Sequence, residues 1–121
     1  MPNIPTEIRL SADKRTLKVT FADVSYDLSA EYLRVESPSA EIKGHGGGPK
    51  KIVGGKKDVT IQAIQPSGNY AVILFFSDGH NTGIYTWDYL HELAVTQPEK
   101  WQTYLTNVFK LGLEREPKQA V

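Results

Sequence analysis

The chain has 121 residues, no cysteine, and 14 basic residues against 14 acidic ones. This length suits one domain with its own core. The absence of cysteine excludes a disulfide framework, thiolate catalysis and any cysteine-ligated zinc or iron–sulfur site. A formal net charge of zero predicts no global attraction to nucleic acid or anionic membranes. The first residues lack a signal-peptide pattern and no apolar run could span a bilayer, so we expect a cytoplasmic protein.

The first third of the chain predicts a β-hairpin, a third strand and a short helix. Apolar and polar residues alternate over residues 7–10 and 16–21, with turn-forming residues between the two stretches. The alternation continues from Val24 to Leu28. Ser29 is a suitable N-cap for a short helix over residues 30–34.

A long loop is predicted for residues 36–57, because this stretch is dense in glycine, proline and lysine. Its glycines could form a nest of backbone N–H groups for an anion. Five lysines add local positive charge: Lys43, Lys50, Lys51, Lys56 and Lys57. The dinucleotide-binding and Walker A patterns fail, because Pro49 and Lys50 stand where glycine is required. An anion-binding loop and a solvated charged loop are both consistent with this pattern.

The middle of the chain predicts a central strand and a helix. Residues 59–63 begin a strand, residues 66–69 form a turn, and the strand from Tyr70 to Phe76 is apolar on both faces, as expected of a central strand. A turn over residues 77–79 leads to a returning strand over residues 80–84. Thr86 is a plausible N-cap of the next helix. That helix is expected to bury Trp87, Leu90, Leu93 and Ala94.

A last helix begins near Pro98 and ends near Gly112. Its apolar residues at helical spacing predict a buried stripe of Trp101, Leu105, Val108 and Phe109. The predicted fold is therefore α+β: an antiparallel sheet built from hairpins, a short helix after the third strand and two C-terminal helices. We expect one domain over residues 1–113 and a flexible tail over residues 114–121.

The three histidines are the candidates for metal chemistry. His80 and His45 with a nearby carboxylate could hold zinc or iron, whereas the alternative is that His80 orders its turn through hydrogen bonds. Ser67 and Ser77 lie in predicted turns and neither is in a nucleophile elbow. The sequence therefore contains no catalytic motif that we can identify.

Five short motifs point to a family when they are taken together. They are Tyr32-Leu33-Arg34, Ser37-Pro38-Ser39-Ala40-Glu41, Gly44-His45-Gly46, Gly68-Asn69-Tyr70-Ala71-Val72, and Asp78-Gly79-His80 running on to Gly83-Ile84-Tyr85-Thr86-Trp87-Asp88-Tyr89-Leu90. This combination resembles the DUF971 family, a domain similar to the N-terminal domain of γ-butyrobetaine hydroxylase. The resemblance covers roughly residues 5 to 95.

The resemblance implies a structural zinc in the hydroxylases, bound by three cysteines and one histidine. The histidine falls on His80, and the cysteine positions fall on Ser37, Ser39 and about Ile42. Because hydroxyl groups are poor zinc ligands and isoleucine is none, we do not expect that zinc site here. Hydroxylase activity belongs to a separate domain of those enzymes and is not transferred to this chain. Related domains appended to iron–sulfur carriers imply a docking or accessory role.

We therefore expect a small noncatalytic binding or adaptor domain with an unidentified protein partner and no resident cofactor. The candidate binding residues that the resemblance implies are Arg34, Ser37, Ser39, Glu41, His45, Asp78 and His80. Arg34 and Glu41 are expected to pair or to present charge to the partner. The alternative is an accessory protein that binds iron or zinc weakly through His80 and His45, and a stand-alone enzyme ranks last. No specific nucleic-acid or membrane partner is expected.

Overall fold

The computed structural model describes residues 4–39 and 51–117. The fold is α+β, as predicted, and contains two antiparallel three-stranded sheets with strand orders β1-β2-β3 and β4-β5-β6. In chain order the elements are β1 (Pro5–Leu10), β2 (Thr16–Phe21), β3 (Val24–Ser29), α1 (Ala30–Val35), β4 (Ile61–Ser67), β5 (Ala71–Phe76), β6 (Ile84–Thr86), α2 (Trp87–Val95) and α3 (Gln97–Lys110). No helix in these described ranges is long and apolar enough to cross a membrane.

The first sheet and α1 follow the sequence pattern closely. Leu17 and Val19 are fully buried, as the alternation in β2 predicts. The Oγ atom of Ser29 accepts the N–H of Tyr32 at 3.0 Å, so Ser29 is the predicted N-cap of α1. The Ala30 N–H also donates to the Arg15 carbonyl at 2.8 Å, which fixes the start of α1 against the first hairpin.

The second sheet is built around β5, which lies between β4 and β6 as predicted. Val72 and Leu74 are buried in the main core. The strand was predicted to begin at Tyr70, but it begins one residue later, and the Tyr70 side chain is 57% exposed. It lies in the turn that follows Gly68, whose φ of 59° turns the chain before β5 begins at Ala71.

The returning strand β6 starts four residues later than predicted, at Ile84 instead of His80. The His80 carbonyl accepts the Phe76 N–H at 3.0 Å and closes the turn. The chain then leaves the sheet over residues 81–83, because the buried His80 side chain is bonded to the segment after α1. Thr86 ends β6 and caps α2, accepting the Tyr89 N–H at 3.1 Å.

The two C-terminal helices differ in how well their buried faces were predicted. In α2, Leu90, Leu93 and Ala94 are buried as expected, whereas Trp87 is half-buried. In α3, Val108 is buried but Phe109 is 86% exposed, so its placement in the buried stripe was wrong. One residue along a helix is a rotation of about 100°, and Tyr104, which shares a face with Val108, is buried instead.

The segment after α3 is bonded to the loop that precedes β4. The Gly55 N–H donates to the Glu114 carbonyl at 2.7 Å, and the Lys57 N–H donates to the Arg115 carbonyl at 2.9 Å. The Arg115 guanidinium group makes two hydrogen bonds to the Glu31 carboxylate, at 2.9 and 2.8 Å. The boundary at residue 113 stays a prediction, but residues 114–117 at the start of the predicted tail pack against the domain.

Candidate functional site

An ion-pair cluster joins α1 to the turn between β5 and β6. Arg34, in the last turn of α1, donates from Nε to Oδ2 of Asp78 at 2.8 Å, and the Lys56 Nζ lies 2.6 Å from the same oxygen. The other carboxylate oxygen of Asp78 accepts the backbone N–H of His80 at 3.1 Å. The side chains of Arg34 and Asp78 are only 10% and 22% exposed. The three side chains therefore form a largely enclosed network that joins three parts of the chain: α1, the loop before β4 and the β5–β6 turn.

The pKa of Asp78 follows from this network. Burial disfavours the charged carboxylate, but the bonds from Lys56, the His80 N–H and Arg34 outweigh burial and lower the pKa to about 2. The carboxylate is therefore ionised at neutral pH. It can accept hydrogen bonds and balance charge there, but it cannot act as a general acid.

The His80 side chain is buried beside the two serines that follow α1. Its Nε2 atom lies 2.8 Å from the Ser37 Oγ and 3.5 Å from the Ser39 Oγ. Gly83 passes so close that an added Cβ would lie 2.5 Å from the Ser37 Oγ. The close approach of Gly83 explains why glycine is needed there. This arrangement allows His80 to order the turn and the segment after α1.

Two tyrosines complete the attachment of α1. The hydroxyl of Tyr85 donates to the Leu33 carbonyl and that of Tyr89 donates to the Glu36 carbonyl. Both carbonyls lie at the C-terminal end of α1, where backbone groups lack partners within the helix. Burial raises the pKa of both tyrosines, which keeps their hydroxyls neutral and able to donate. Sequence reasoning missed these bonds, since the spacing of the tyrosines does not identify their acceptors.

The candidate residues from the sequence divide into three groups. The structure brings together Arg34, Ser37, Ser39, Asp78 and His80, and it adds Lys56 from the basic loop. Of the other lysines, the exposed Lys51 lines a neighbouring cleft, and the Nζ atom of Lys57 lies 3.5 Å from Oε1 of Glu116. Glu41, His45, Lys43 and Lys50 lie outside the described residues.

The partner of Arg34 in the structure is Asp78. The expected pairing of Arg34 with Glu41 stays a prediction, because Glu41 lies in the part of the chain that is not described. The expectation that Arg34 presents charge to a partner also stays a prediction. The pair with Asp78 shows that at least one N–H of the guanidinium group is committed within the domain.

The residues around His80 do not fit the zinc site of the hydroxylases. The side-chain atoms facing Nε2 are serine hydroxyl oxygens, which are poor zinc ligands. Over residues 4–39 and 51–117, no group of three or more His, Cys, Asp or Glu side chains could hold a metal ion. Weak binding of iron or zinc through His80 and His45 stays a prediction, since His45 lies outside these ranges.

The chain matches a known protein family over most of its length. A family model described as gamma-butyrobetaine hydroxylase-like, N-terminal, matches residues 8–91. The chain belongs to this family. The resemblance drawn from the sequence motifs is thereby confirmed, and the model that matches is that of the N-terminal domain. A search of curated proteins found no match.

Three solved structures are similar to this gamma-butyrobetaine hydroxylase-like N-terminal domain. Two NMR solution structures share 43% and 42% sequence identity with it, with TM-scores of 0.86 and 0.81; the alignments cover 100% and 98% of this chain and 96% and 89% of the other chains. A crystal structure from Acidithiobacillus ferrooxidans, of a DUF971 protein of unknown function, shares 44% identity with a TM-score of 0.62. That alignment covers 74% of this chain and 91% of the other. The family is thus one of small domains whose function is unknown.

Proposed function

We propose that this domain is a noncatalytic module that binds a protein partner. The surface we assign to the partner is the exposed edge around the turn between β5 and β6, which we call the turn face. It consists of Ser77, Gly79, Asn81 and Thr82, all of which are exposed.

The observation that carries this proposal is the ion pair between Arg34 and Asp78. It fixes the β5–β6 turn to α1, and His80 adds a second attachment through Ser37. A turn that is held at two points has little conformational freedom to lose when it binds, so association costs less. The polar groups of the site therefore support the shape of the turn face, which is the part that meets solvent.

The composition of the turn face suggests a polar and transient interface. Its residues are small or polar, and no large apolar side chain is among them. Interfaces of this kind rely on hydrogen bonds and bridging waters, and they are typically small. We therefore expect the partner to contact the turn face through polar side chains or backbone groups, and not through the apolar face of a helix.

The test is photo-crosslinking in the native host, with a photoreactive amino acid placed at Asn81 or at Thr82. The matched control carries it at Lys18, which is exposed on β2 in the other sheet. A single adduct of defined mass from positions 81 and 82, absent from position 18, is the expected result. No adduct, or the same adducts from all three positions, would refute the proposal.

A second step shows that the adduct reports real binding. The crosslinked protein is purified and titrated with wild-type domain, with Asn81→Arg and with Lys18→Glu. Binding that is lost for Asn81→Arg and kept for Lys18→Glu is expected, because only the first change places a large charged side chain on the turn face. Equal binding by both variants would contradict the assigned surface.

A further inference from the structure

A second feature lies beside the ion-pair cluster: a cleft between residues 51–56 and residues 112–117. Its cavity volume is about 840 Å³, and Arg34, Lys51 and Lys56 are among its lining residues. We propose that this cleft binds a carboxylate group carried on an apolar stem. The inference goes beyond the protein partner assigned to the turn face and does not depend on it.

The first support is an unused donor on Arg34. Its Nε atom is bonded to Asp78, but its Nη1 atom is buried without a hydrogen-bond partner among the described residues. A buried N–H of a charged group without an acceptor is unfavourable, and such groups are normally satisfied. The Arg34 side chain keeps 10% of its surface exposed and lines the cleft, so a carboxylate that enters the cleft meets this guanidinium group.

The second support is the charge balance. Within residues 4–39 and 51–117, the charged residues that line the cleft or pair with its lining are four basic ones, Arg34, Lys51, Lys56 and Lys57, and three acidic ones, Asp78, Glu114 and Glu116. One positive charge is therefore left over. A single carboxylate would balance this charge, whereas a phosphate dianion would exceed it and meet stronger repulsion from the two glutamates. The planar guanidinium group also matches the two oxygens of a carboxylate.

The third support is the apolar part of the lining, which is formed by Ile52, Val53 and Leu113. Leu113 is 36% exposed, so it has apolar surface left to cover. A ligand with an aliphatic or aromatic stem would remove this surface from water. The carboxylate could belong to a small organic acid or to the C-terminus of a peptide, since both present the same group on an apolar stem.

The experiment is a two-dimensional ¹H–¹⁵N NMR titration of the full chain at fixed pH and ionic strength. The probes are hexanoate, hexanol, inorganic phosphate, and a short acetylated peptide ending in leucine, as free acid and as amide. We expect saturable shifts at Gly54, Gly55 and Leu113 with hexanoate or the free-acid peptide, with a Kd below about 1 mM. Whichever of the two binds more tightly identifies the source of the carboxylate. No saturable shift, or equal shifts with phosphate or the neutral probes, would overturn the proposal.

Variants test whether the cleft itself is the site. Arg34→Lys keeps the charge but loses the planar fork, and we expect about 10-fold weaker binding. Lys51→Gln removes an exposed charge at the cleft and should weaken binding about 2- to 5-fold with the fold intact. The control Lys18→Gln, on the other sheet, should bind as the wild type does. Wild-type affinity in both cleft variants would place the ligand elsewhere and refute the assignment. The titration leaves the turn face untouched, so its failure is distinguishable from a failure of the proposed function.

Discussion

The Nε2 atom of His80 lies 2.8 Å from the Oγ atom of Ser37, a residue 43 positions earlier in the chain. This contact joins the turn after β5 to the segment after α1. It also occupies the place where the family resemblance positions a histidine and a cysteine around zinc. In this chain a hydrogen bond between buried side chains makes the connection instead.

The double variant Ser37→Cys, Ser39→Cys should bind a metal ion. Both hydroxyls already face His80, so the variant places two thiolates and one imidazole around one point, a ligand set that zinc and cobalt accept. We expect stoichiometric Co²⁺ binding with a thiolate-to-metal charge-transfer band. Adding His80→Gln to this variant should weaken the affinity about 10-fold or more.

The wild-type protein is the reference for that experiment. If it binds Co²⁺ or Zn²⁺ stoichiometrically, with His80 and His45 resonances shifting together, the weak metal site predicted from the sequence exists. If the double variant binds no better than the wild type, Ser37 and Ser39 do not converge on His80 in solution.

Asp78→Asn should destabilise the protein by about 2–3 kcal/mol, because it leaves the buried guanidinium group of Arg34 without its counter-charge. The free energy of unfolding is measured by urea denaturation at neutral pH. The control Asp23→Asn, in the exposed turn between β2 and β3, should change stability by less than about 0.5 kcal/mol.

The stabilisation that Asp78→Asn removes should also depend on pH in the acid range. The pKa of Asp78 is lowered from 3.8 to about 2, so its ionised form contributes stability above pH 3.8 that is lost as the pH falls through 2. The difference in unfolding free energy between wild type and Asp78→Asn should therefore narrow over this window. A difference that stays constant with pH would show that the carboxylate charge is not responsible.

Arg115→Gln should destabilise the protein by about 1–3 kcal/mol, because it leaves the Glu31 carboxylate, only 6% exposed, without its two charged hydrogen bonds. Arg115→Lys should restore part of this loss, since one ammonium group replaces the planar fork. Lys110→Gln, at the exposed end of α3, is the control. Unchanged stability in Arg115→Gln would mean that the segment after α3 does not dock in solution.

Tyr85→Phe should lower the free energy of unfolding by about 1–2 kcal/mol, because the buried Leu33 carbonyl loses the hydroxyl that donates to it. The exposed Tyr70 supplies the control, since Tyr70→Phe removes a hydroxyl that meets solvent. Both are compared by urea denaturation. Equal stabilities of the two variants would contradict the role assigned to Tyr85.

The raised pKa of Tyr85 also predicts that the folded protein loses stability at alkaline pH. Burial raises its pKa above the ordinary value of 10, so the stability that comes from the neutral hydroxyl is complete below pH 10 and is lost as the pH rises further. The tyrosinate absorbance of Tyr85 is the absorbance of the wild type minus that of Tyr85→Phe. This absorbance should therefore appear at the pH at which the protein unfolds. Ionisation of Tyr85 in the folded protein at pH 10 would contradict the buried hydrogen bond.

Local signals explain what the sequence predicted correctly. Ser29 and Thr86 cap α1 and α2 through bonds to residues three positions later, and Gly112 follows α3 with a φ of 67°. Each of these features depends on neighbouring residues alone. The apolar faces of β5 identified it as a central strand in the same way.

Long-range contacts explain the rest. The late start of β6 depends on His80 bonding to Ser37, and that contact requires α1 to be in place. The family resemblance included Arg34 and Asp78 among the candidate residues, but only the structure shows that they pair. No local pattern marked Arg115 as the partner of Glu31, which is 84 positions away.

The contacts between the first and last parts of the chain have a further consequence. Tyr32 donates to the Leu93 carbonyl, Arg34 pairs with Asp78, and Glu31 pairs with Arg115. Each of these contacts joins a residue before position 40 to a residue after position 50, so none of them needs a peptide bond between the two parts. Two separate fragments, 1–39 and 51–121, are therefore expected to associate into a folded noncovalent complex when they are mixed. The covalent connection then raises the effective concentration of each part of the chain for the other.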